Sequence, residues 1–459
     1  MKKSSLMMIT TTMVLVTAAQ AINVMWDNDK SVQEAASVVA YGLVKYYTGN
    51  HTGDTPGNLP DPYSWWVAGA MFGTLIDYWW LTGDESYNEI TTQAMLHQIG
   101  DDNDYMPDNQ TMTEGNDDQG FWAMAAMSAA EHKYPDPPAS QPQWIALVQA
   151  VFNEYVSRWD TKHCNGGLRW QIFTWNRGFD YKNSISNGCF FNIAARLARY
   201  TGNQTYADWA KKVWDWETET GLITKRYQVL DGVHFVGKCP SSTDSNQWSY
   251  NTGIYLYGAA VMYNITESHL WKTHVDGLLD DAKNKFVRNN VLYEQFCEAS
   301  KQCDNDQQTF KGYLARWMAA TLQVAPYTSD TISKILQASA EKAAASCIGS
   351  PDIGFAGVAG TACGFSWLSG TFDNLIGVGS QMNALQSIMY TLVKKASVPV
   401  TTKTGGSSKG NPSGGKTNTN VDITKPQYAD ITAKDKVGAG IITCLMLAGI
   451  IGGTTFAVI

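Results

Sequence analysis

Asp117 and Asp118 stand side by side in the stretch Asn116-Asp117-Asp118-Gln119-Gly120-Phe121-Trp122. Two carboxylates can divide the work of breaking a glycosidic bond. In a retaining mechanism one is ionised as nucleophile, the other is protonated as acid, and the two lie about 5 Å apart. An apolar run with helical character follows, through Ala126. Asn116 reads as its N-cap, and Gln119 three residues on completes a capping box. Both acids then fall in the first turn, where free N–H groups and the helix dipole favour negative charge. Any helix start attracts such acids, so the pair alone decides nothing. At that turn, however, one Asp stays ionised and its charge pushes the neighbour towards the protonated form. Glu114 is near enough in sequence to exchange a role with either.

The elements that hold this pair follow from apolar residues at three-and-four spacing. Helices are expected at 31–48, 64–82, 85–99, 117–132, 142–158, 185–201, 204–220, 248–266, 268–286, 309–325, 329–346 and 377–393. Short strands or hairpins are expected in 166–173 and 227–236. The helices alternate between two kinds. One kind opens on polar and aromatic residues and continues as Ala/Gly-rich apolar sequence, as in Trp65-Trp66-Val67-Ala68-Gly69, Asn187-Gly188-Cys189 and Tyr250-Asn251-Thr252-Gly253. Such starts recur about every 60 residues, with Gly379 to Ala384 the weakest. The other kind is amphipathic and charged, as in Asp208 to Glu219. Helix pairs that repeat must bury their faces on neighbouring pairs. Six pairs with one nearly all-apolar partner predict an all-α fold, an (α/α)6 barrel or toroid of six helical hairpins. The polar-aromatic starts would share one end of it. An open α-solenoid is the alternative and has no shared end.

The chain has 459 residues, 44% hydrophobic and 17% charged, with a net charge of −8. That is ample for a large core. No basic run stands out, so a nucleic-acid partner is not expected. The 17 Trp and 22 Tyr suit both a core and a groove that stacks sugar rings. Residues 1–21 read as a signal peptide, with Ala19-Gln20-Ala21 at the cleavage site. The catalytic domain is expected over 22–398. The Ser/Thr/Gly-rich stretch 399–436 reads as a flexible linker holding a GPI attachment point between Asn418 and Thr432. The uncharged tail 437–459 reads as the GPI signal, with a tail-anchored span as the alternative. Secretion permits disulfides. The expected pairs are Cys164–Cys239, Cys297–Cys303 and Cys347–Cys363, with Cys189 free and Cys444 leaving with the tail. Sequons at Asn50, Asn109, Asn203 and Asn264 predict a glycosylated exterior. No His or Cys spacing suggests a metal, and no motif calls for a cofactor.

Six stretches together resemble glycoside hydrolase family 76. They are Trp65 to Gly73, Asn116-Asp117-Asp118-Gln119, Gly167-Leu168-Arg169-Trp170, Lys182-Asn183 with Ser186-Asn187-Gly188, Trp248 to Gly253, and Phe310-Lys311-Gly312. The resemblance covers roughly 25–395, lies nearest the fungal GPI-anchored wall members, and agrees with both terminal signals. It implies the same barrel and retaining cleavage of α-1,6-mannosidic linkages, in mannan or in the mannose core of GPI glycans. Transfer to a wall glucan acceptor is a further implied outcome. It assigns Asp117 as nucleophile and Asp118 as acid/base. Trp65, Trp66, Trp170, Trp248 and Tyr250 are then candidate sugar platforms, although half should belong to the core. Gln119, Asn183, Asn187 and Asn251 are candidates to bond sugar hydroxyls, or else to cap helices. Lys311 is placed either to face solvent or to meet an anionic substituent such as phosphoethanolamine. The expected protein is a monomeric wall enzyme on the outer face of the plasma membrane. A catalytically silent mannan-binding protein is the alternative.

Overall fold

The computed structural model describes residues 22–235, 239, 242–415 and 433–458. The expected signal peptide and the GPI attachment region lie outside the described residues.

Outer and inner helices alternate through the chain. α1 (Asp29–Val44) is outer and α2 (Trp65–Thr82) inner. α3 (Asn88–His97) is outer and α4 (Asn116–Glu131) inner. α5 (Trp144–Arg158) is outer and α6 (Ser184–Thr201) inner. α7 (Gln204–Glu219) is outer and α8 (Ser249–Thr266) inner. α9 (His269–Phe286) is outer and α10 (Phe310–Val324) inner. α11 (Ser329–Ser346) is outer and α12 (Val378–Met389) inner. Each inner helix packs on the next, and α12 packs back on α2, so the ring closes and the solenoid is excluded. The inner helices are buried along most of their length. An outer helix such as α7 buries one stripe, with Tyr206, Ala210, Val213 and Trp214 at helical spacing. Irregular structure lies in the connections between helices, some of them long, as over 159–180 and 364–377. A three-stranded antiparallel sheet joins β1 (Tyr181–Asn183), β2 (Gly232–His234) and β3 (Ser242–Asp244). The three disulfides pair as expected, and Cys189 is free and buried. The four sequon asparagines are exposed.

The inner helices begin at one end of the barrel and finish at the other. At the finishing end their charges cancel. Asp77 on α2 bonds Arg316 of α10 at 2.8 Å and accepts from Tyr390, just after α12, at 2.6 Å. Glu131 on α4 pairs with Arg196 of α6 at 2.7 Å. Ser128 of α4 accepts from both arginines, at 2.9 and 3.3 Å, and so joins the two ion pairs. His132 stacks on Trp80 with ring centres 3.8 Å apart. Burial holds its pKa down at about 4, so the ring is neutral where the acids are ionised. Between the two ends, Phe121 packs on Trp66, Tyr313 and Trp317 at 4.6, 5.2 and 6.4 Å. These four aromatics fill the barrel axis.

The stretch after the last inner helix departs from the expected linker. Residues 399–415 run as an ordered strap on the barrel. The amide of Val400 donates to the carbonyl of Glu131 at 2.8 Å, and that of Thr402 to Tyr200 at 3.0 Å. The amide of Ile145 donates to the Ser408 hydroxyl at 3.0 Å. Asn153 donates to the carbonyl of Gly414 at 2.7 Å. The first three partners are backbone groups near helix ends that lack intrahelical bonds, and the strap satisfies them. Its glycines serve close approach. A Cβ at Gly415 would stand 2.5 Å from the carbonyl oxygen of Ala150. A composition that reads as flexible is here a requirement for small residues.

The chain divides into two compact units, and Asp422–Ile459 forms the second. Its helix α13 (Ala433–Val458) exposes apolar side chains such as Leu445 and Met446. Among the described residues no helix is long and apolar enough to cross a membrane.

Candidate active site

The inner helices begin around a cavity of about 420 Å³, within the size range of small-ligand sites. Ser64, Trp65 and Trp66 from α2 line it, with Gln110, Thr113, Glu114, Asp117, Asp118 and Phe121 around the start of α4. Trp170, Tyr181, Asn183, Asp231, Tyr250, Asp306 and Phe310 complete the wall. Five of these residues are carboxylic acids, and none is Lys, Arg or His.

The start of α4 is fixed from several sides. Its N-cap is Gly115, not Asn116, and Asp118 closes the first turn by accepting from the Gly115 amide at 2.6 Å. Asn116 instead joins the neighbouring loop. Its amide donates to the Trp170 carbonyl at 2.8 Å and its side chain to the Arg169 carbonyl at 2.8 Å. Tyr155 donates to the Asn116 carbonyl from α5. Gly115 must be glycine for space. A Cβ there would lie 2.4 Å from Oδ1 of Asp117 and 3.1 Å from Oδ2 of Asp118. One turn on, a Cβ at Gly120 would lie 2.6 Å from the Cβ of Cys189. This absence of a side chain lets α4 and α6 meet directly beneath the acids.

The loop carrying Trp170 is braced by ion pairs. Arg169 bonds Asp160 at 2.7 Å, and Lys182 donates to the carbonyls of Asp160 and His163 at 3.0 and 2.7 Å. The Cys164–Cys239 disulfide ties the loop to the segment before β3. Asn187 belongs to the same brace. Its side chain accepts from the Leu168 amide at 2.7 Å and donates to the Leu168 carbonyl at 3.0 Å.

Burial raises both central acids. Asp117 stands well above the usual carboxylate range, first through burial and then through repulsion by Asp118. Asp118 is pushed up to about 7 by burial, with Asp306 adding to it and the Gly115 amide opposing it. Two neighbouring acids so placed hold one proton between them at neutral pH. Burial weighs more heavily on Asp117, but Asp117 also collects more donors: the amides of residues 117 and 118 and the Trp170 indole. Those three donors oppose the rise at Asp117, as hydrogen bonds to a carboxylate do. Glu114 is raised by burial and by Asp118, and both its oxygens are buried without a partner. Asp231 is raised to about 6 by burial and accepts from Tyr181 at 2.6 Å. Asp306 is raised by burial and accepts from Ser64 at 3.3 Å.

The structure brings Trp65, Trp66, Trp170, Asn183, Tyr250, Asp117 and Asp118 to one cavity, all but Trp170 from the starts of inner helices. It removes five other candidates from that wall. Lys311 is wholly buried, paired with Glu298 at 3.0 Å, and lies over the Phe365 and Trp367 rings at 4.2 and 4.0 Å. It neither faces solvent nor reaches an anionic substituent. Gln119 donates to the Asp104 carbonyl at 2.8 Å and accepts from Arg158. Asn187 holds the Trp170 loop. Asn251 is fully buried with both amide atoms unpartnered, and is absent from the cavity lining. Trp248 stands behind the wall, edge-on to Phe310 at 5.6 Å. Sequence reasoning missed Asp231 and Asp306 as site residues. Asp306 precedes an inner-helix start, which was the available signal. Asp231 lies in a loop with no periodic pattern.

Residues 31–403 match glycosyl hydrolase family 76. The chain is 47% identical over 429 residues to mannan endo-1,6-alpha-mannosidase DCW1 of Saccharomyces cerevisiae, covering 93% of each. It resembles the crystal structure of Dfg5 from Chaetomium thermophilum in complex with glucosamine. The TM-score there is 0.81 at 45% identity, over 85% of this chain and 97% of that one. It is also similar to an inactive variant of an α-1,6-mannanase from Salegentibacter in complex with α-1,6-mannotriose. That TM-score is 0.60 at 16% identity, over 79% of this chain and 99% of that one, and the likeness carries the fold.

Proposed function

The chain belongs to glycosyl hydrolase family 76, and on that premise we propose that it is a cell-wall glycosidase of α-1,6-mannosidic linkages with a retaining, two-carboxylate mechanism. The observation that carries this reading is the pair Asp117 and Asp118: adjacent in the first turn of α4, both raised above the usual carboxylate range, and lining one face of a cavity walled by aromatic rings. Its nearest rival, a silent binding protein, gives no role to a pair so raised.

Asp117 is the nucleophile. Its oxygen attacks the anomeric carbon, the glycosidic C–O bond breaks, and Asp118 gives its proton to the departing oxygen. A covalent glycosyl-enzyme results. Asp118, now ionised, takes a proton from water or from a sugar hydroxyl, which displaces Asp117 and restores the pair. Water gives hydrolysis; a sugar acceptor such as wall glucan gives transfer. Trp65, Trp66, Trp170 and Tyr250 offer flat faces to the C–H faces of mannose. The all-acid lining disfavours a phosphate near the scissile bond.

The enzyme acts as a monomer outside the cell, held by a GPI anchor attached between Asn418 and Thr432. The apolar run 437–459, which carries no Asp, Glu, Lys or Arg, supports this reading. Deletion of 437–459 should release the protein into the medium. Protein that stays membrane-bound after deletion, and resists phosphatidylinositol-specific lipase beforehand, rules the anchor out. The reaction is tested by trapping with a fluorinated mannosyl donor and mass spectrometry of the labelled peptide. A label on Asp117 supports the assignment, one on Asp118 reverses the roles, and none on either overturns the mechanism.

A further inference from the structure

Four aromatic rings form a continuous file from the cavity wall to solvent. Tyr250 and Phe310 both line the cavity and stack at 3.8 Å, 7° from parallel. Phe310 meets the edge of Trp248 at 5.6 Å, and Trp248 meets Phe296 at 4.9 Å. The first three are buried, but Phe296 is 54% exposed. Solvent exposure of a phenyl ring forgoes apolar burial, and here the backbone holds the ring outward from both sides. Glu294, two residues before, is fully buried and accepts from the Ser249 hydroxyl and amide at the start of α8. Cys297, immediately after, is buried and bonded to Cys303. Trp248 cannot swing away to receive the ring, because its indole bonds Asp231. Gln247, on the same segment, has a buried carbonyl oxygen without a partner.

We propose that Phe296 is a rim subsite, a fixed platform for a hexopyranose unit of the bound glycan that lies outside the cavity. The identity of that glycan rests on the α-1,6-mannosidase reading above. The occupant follows from continuity, since the file starts on the wall that faces the reacting sugar. An exposed, pinned aromatic suits the C–H face of a pyranose. Binding there is remote from the reacting atoms and equal in ground and transition states. It lowers KM for long chains and leaves kcat alone.

The test compares α-1,6-mannose oligomers of increasing length on the full chain. In the wild type, kcat/KM should climb with length past the units that fill the cavity. Phe296→Ala should remove that climb, raising KM for the long oligomers roughly 2–12-fold, with short oligomers and kcat unchanged. Phe296→Trp should restore the climb, and Phe296→Leu, which keeps apolar volume without a ring face, should not. Unfolding temperature is read on each variant, so a loosened disulfide loop shows itself. The same series is repeated as Kd by calorimetry on Asp117→Asn protein. Loss of equal size at every length, or no loss, overturns the subsite while the reaction reading stands. Length-dependent binding without turnover in the wild type sinks the reaction reading and keeps the subsite. Protein that neither binds nor cleaves the oligomers sinks both.

Discussion

The two ends of this barrel treat charge in opposite ways. At the far end, Asp77 and Glu131 meet Arg316 and Arg196 one to one, inside 3 Å. At the cavity end, Glu114, Asp117, Asp118, Asp231 and Asp306 gather with no cation in the wall. Inner helices supply all four far-end ions, whereas at the cavity end only Asp117 and Asp118 lie on one and the other three acids come from connections. The far end is finished: its ions are paired and its histidine is neutral. The cavity end is unfinished: its acids have no cation to meet, four of them besides Glu114 are also raised above the ordinary carboxylate range, and Glu114 has neither oxygen partnered. A closed ring of helices can store such tension at one end because the other end is tied. Stability and reactivity are thereby separated along one axis.

The sharpest way to break this comparison is to remove one acid from the unfinished end. Asp117→Asn should abolish the covalent intermediate. Asp118→Asn should cost roughly 10²–10⁴-fold with poor leaving groups and less with activated aryl mannosides. Neither should lower the unfolding temperature, since each removes a buried acid held against its ordinary ionisation. A fall in stability alongside lost activity would show the acids to be structural.

The converse test removes one charge from the finished end. Arg316→Met leaves Asp77 buried and unpaired, a change that costs about 3–5 kcal/mol. The protein that remains folded should keep its kcat. An activity loss beyond the folded fraction would mean that the far end shapes the site.

pH should tilt the two ends in opposite directions. Asp118 and Asp231 titrate at about 7 and about 6 in the fold, above their unfolded value of 3.8. The fold binds more protons there, so stability falls as pH rises through that window. His132 titrates at about 4 in the fold against 6.5 unfolded, so stability is also lost as pH falls from 6.5 towards 4. Where these windows overlap, between about pH 4 and 6, two acids oppose one histidine, so on these three groups unfolding temperature should fall as pH rises towards 7. Asp118→Asn should make that fall shallower, and His132→Gln should make it steeper.

The smallest effect belongs to the strap. A chain ending at Ala396 loses its bonds to Glu131, Tyr200, Ile145 and Asn153. Each net hydrogen bond is worth about 1 kcal/mol. Thermal unfolding should register the truncation, and kinetics at the cavity end should not. An unchanged unfolding temperature would return the strap to the role of a free linker.

The twelve barrel helices were legible because each carries its own period, and the ring was legible because two kinds of period alternate. The acid pair was legible for a similar reason, since it sits at the start of a periodic element. The misplaced residues share another property. Lys311 looked like a ligand-reaching side chain at the start of an apolar helix, but Glu298 and the rings of Phe365 and Trp367 enclose it. Those partners come from loops, where no spacing announces them. Asn187 and Gln119 were likewise taken up by a loop and an outer helix. Asp231 escaped notice because its loop has no repeat. The strap was misread because small residues chosen for close packing and small residues chosen for freedom look alike in composition.

The four aromatics on the axis, Trp66, Phe121, Tyr313 and Trp317, make the cavity a dead end. A polymer cannot thread through this ring as through a pore; whatever enters must back out by the same mouth. A long glycan therefore lies across the opening and dips one linkage inward, and successive cuts on one strand require it to lift and settle again. Such an enzyme meets its polymer as a series of separate landings, and each landing is judged first at the rim.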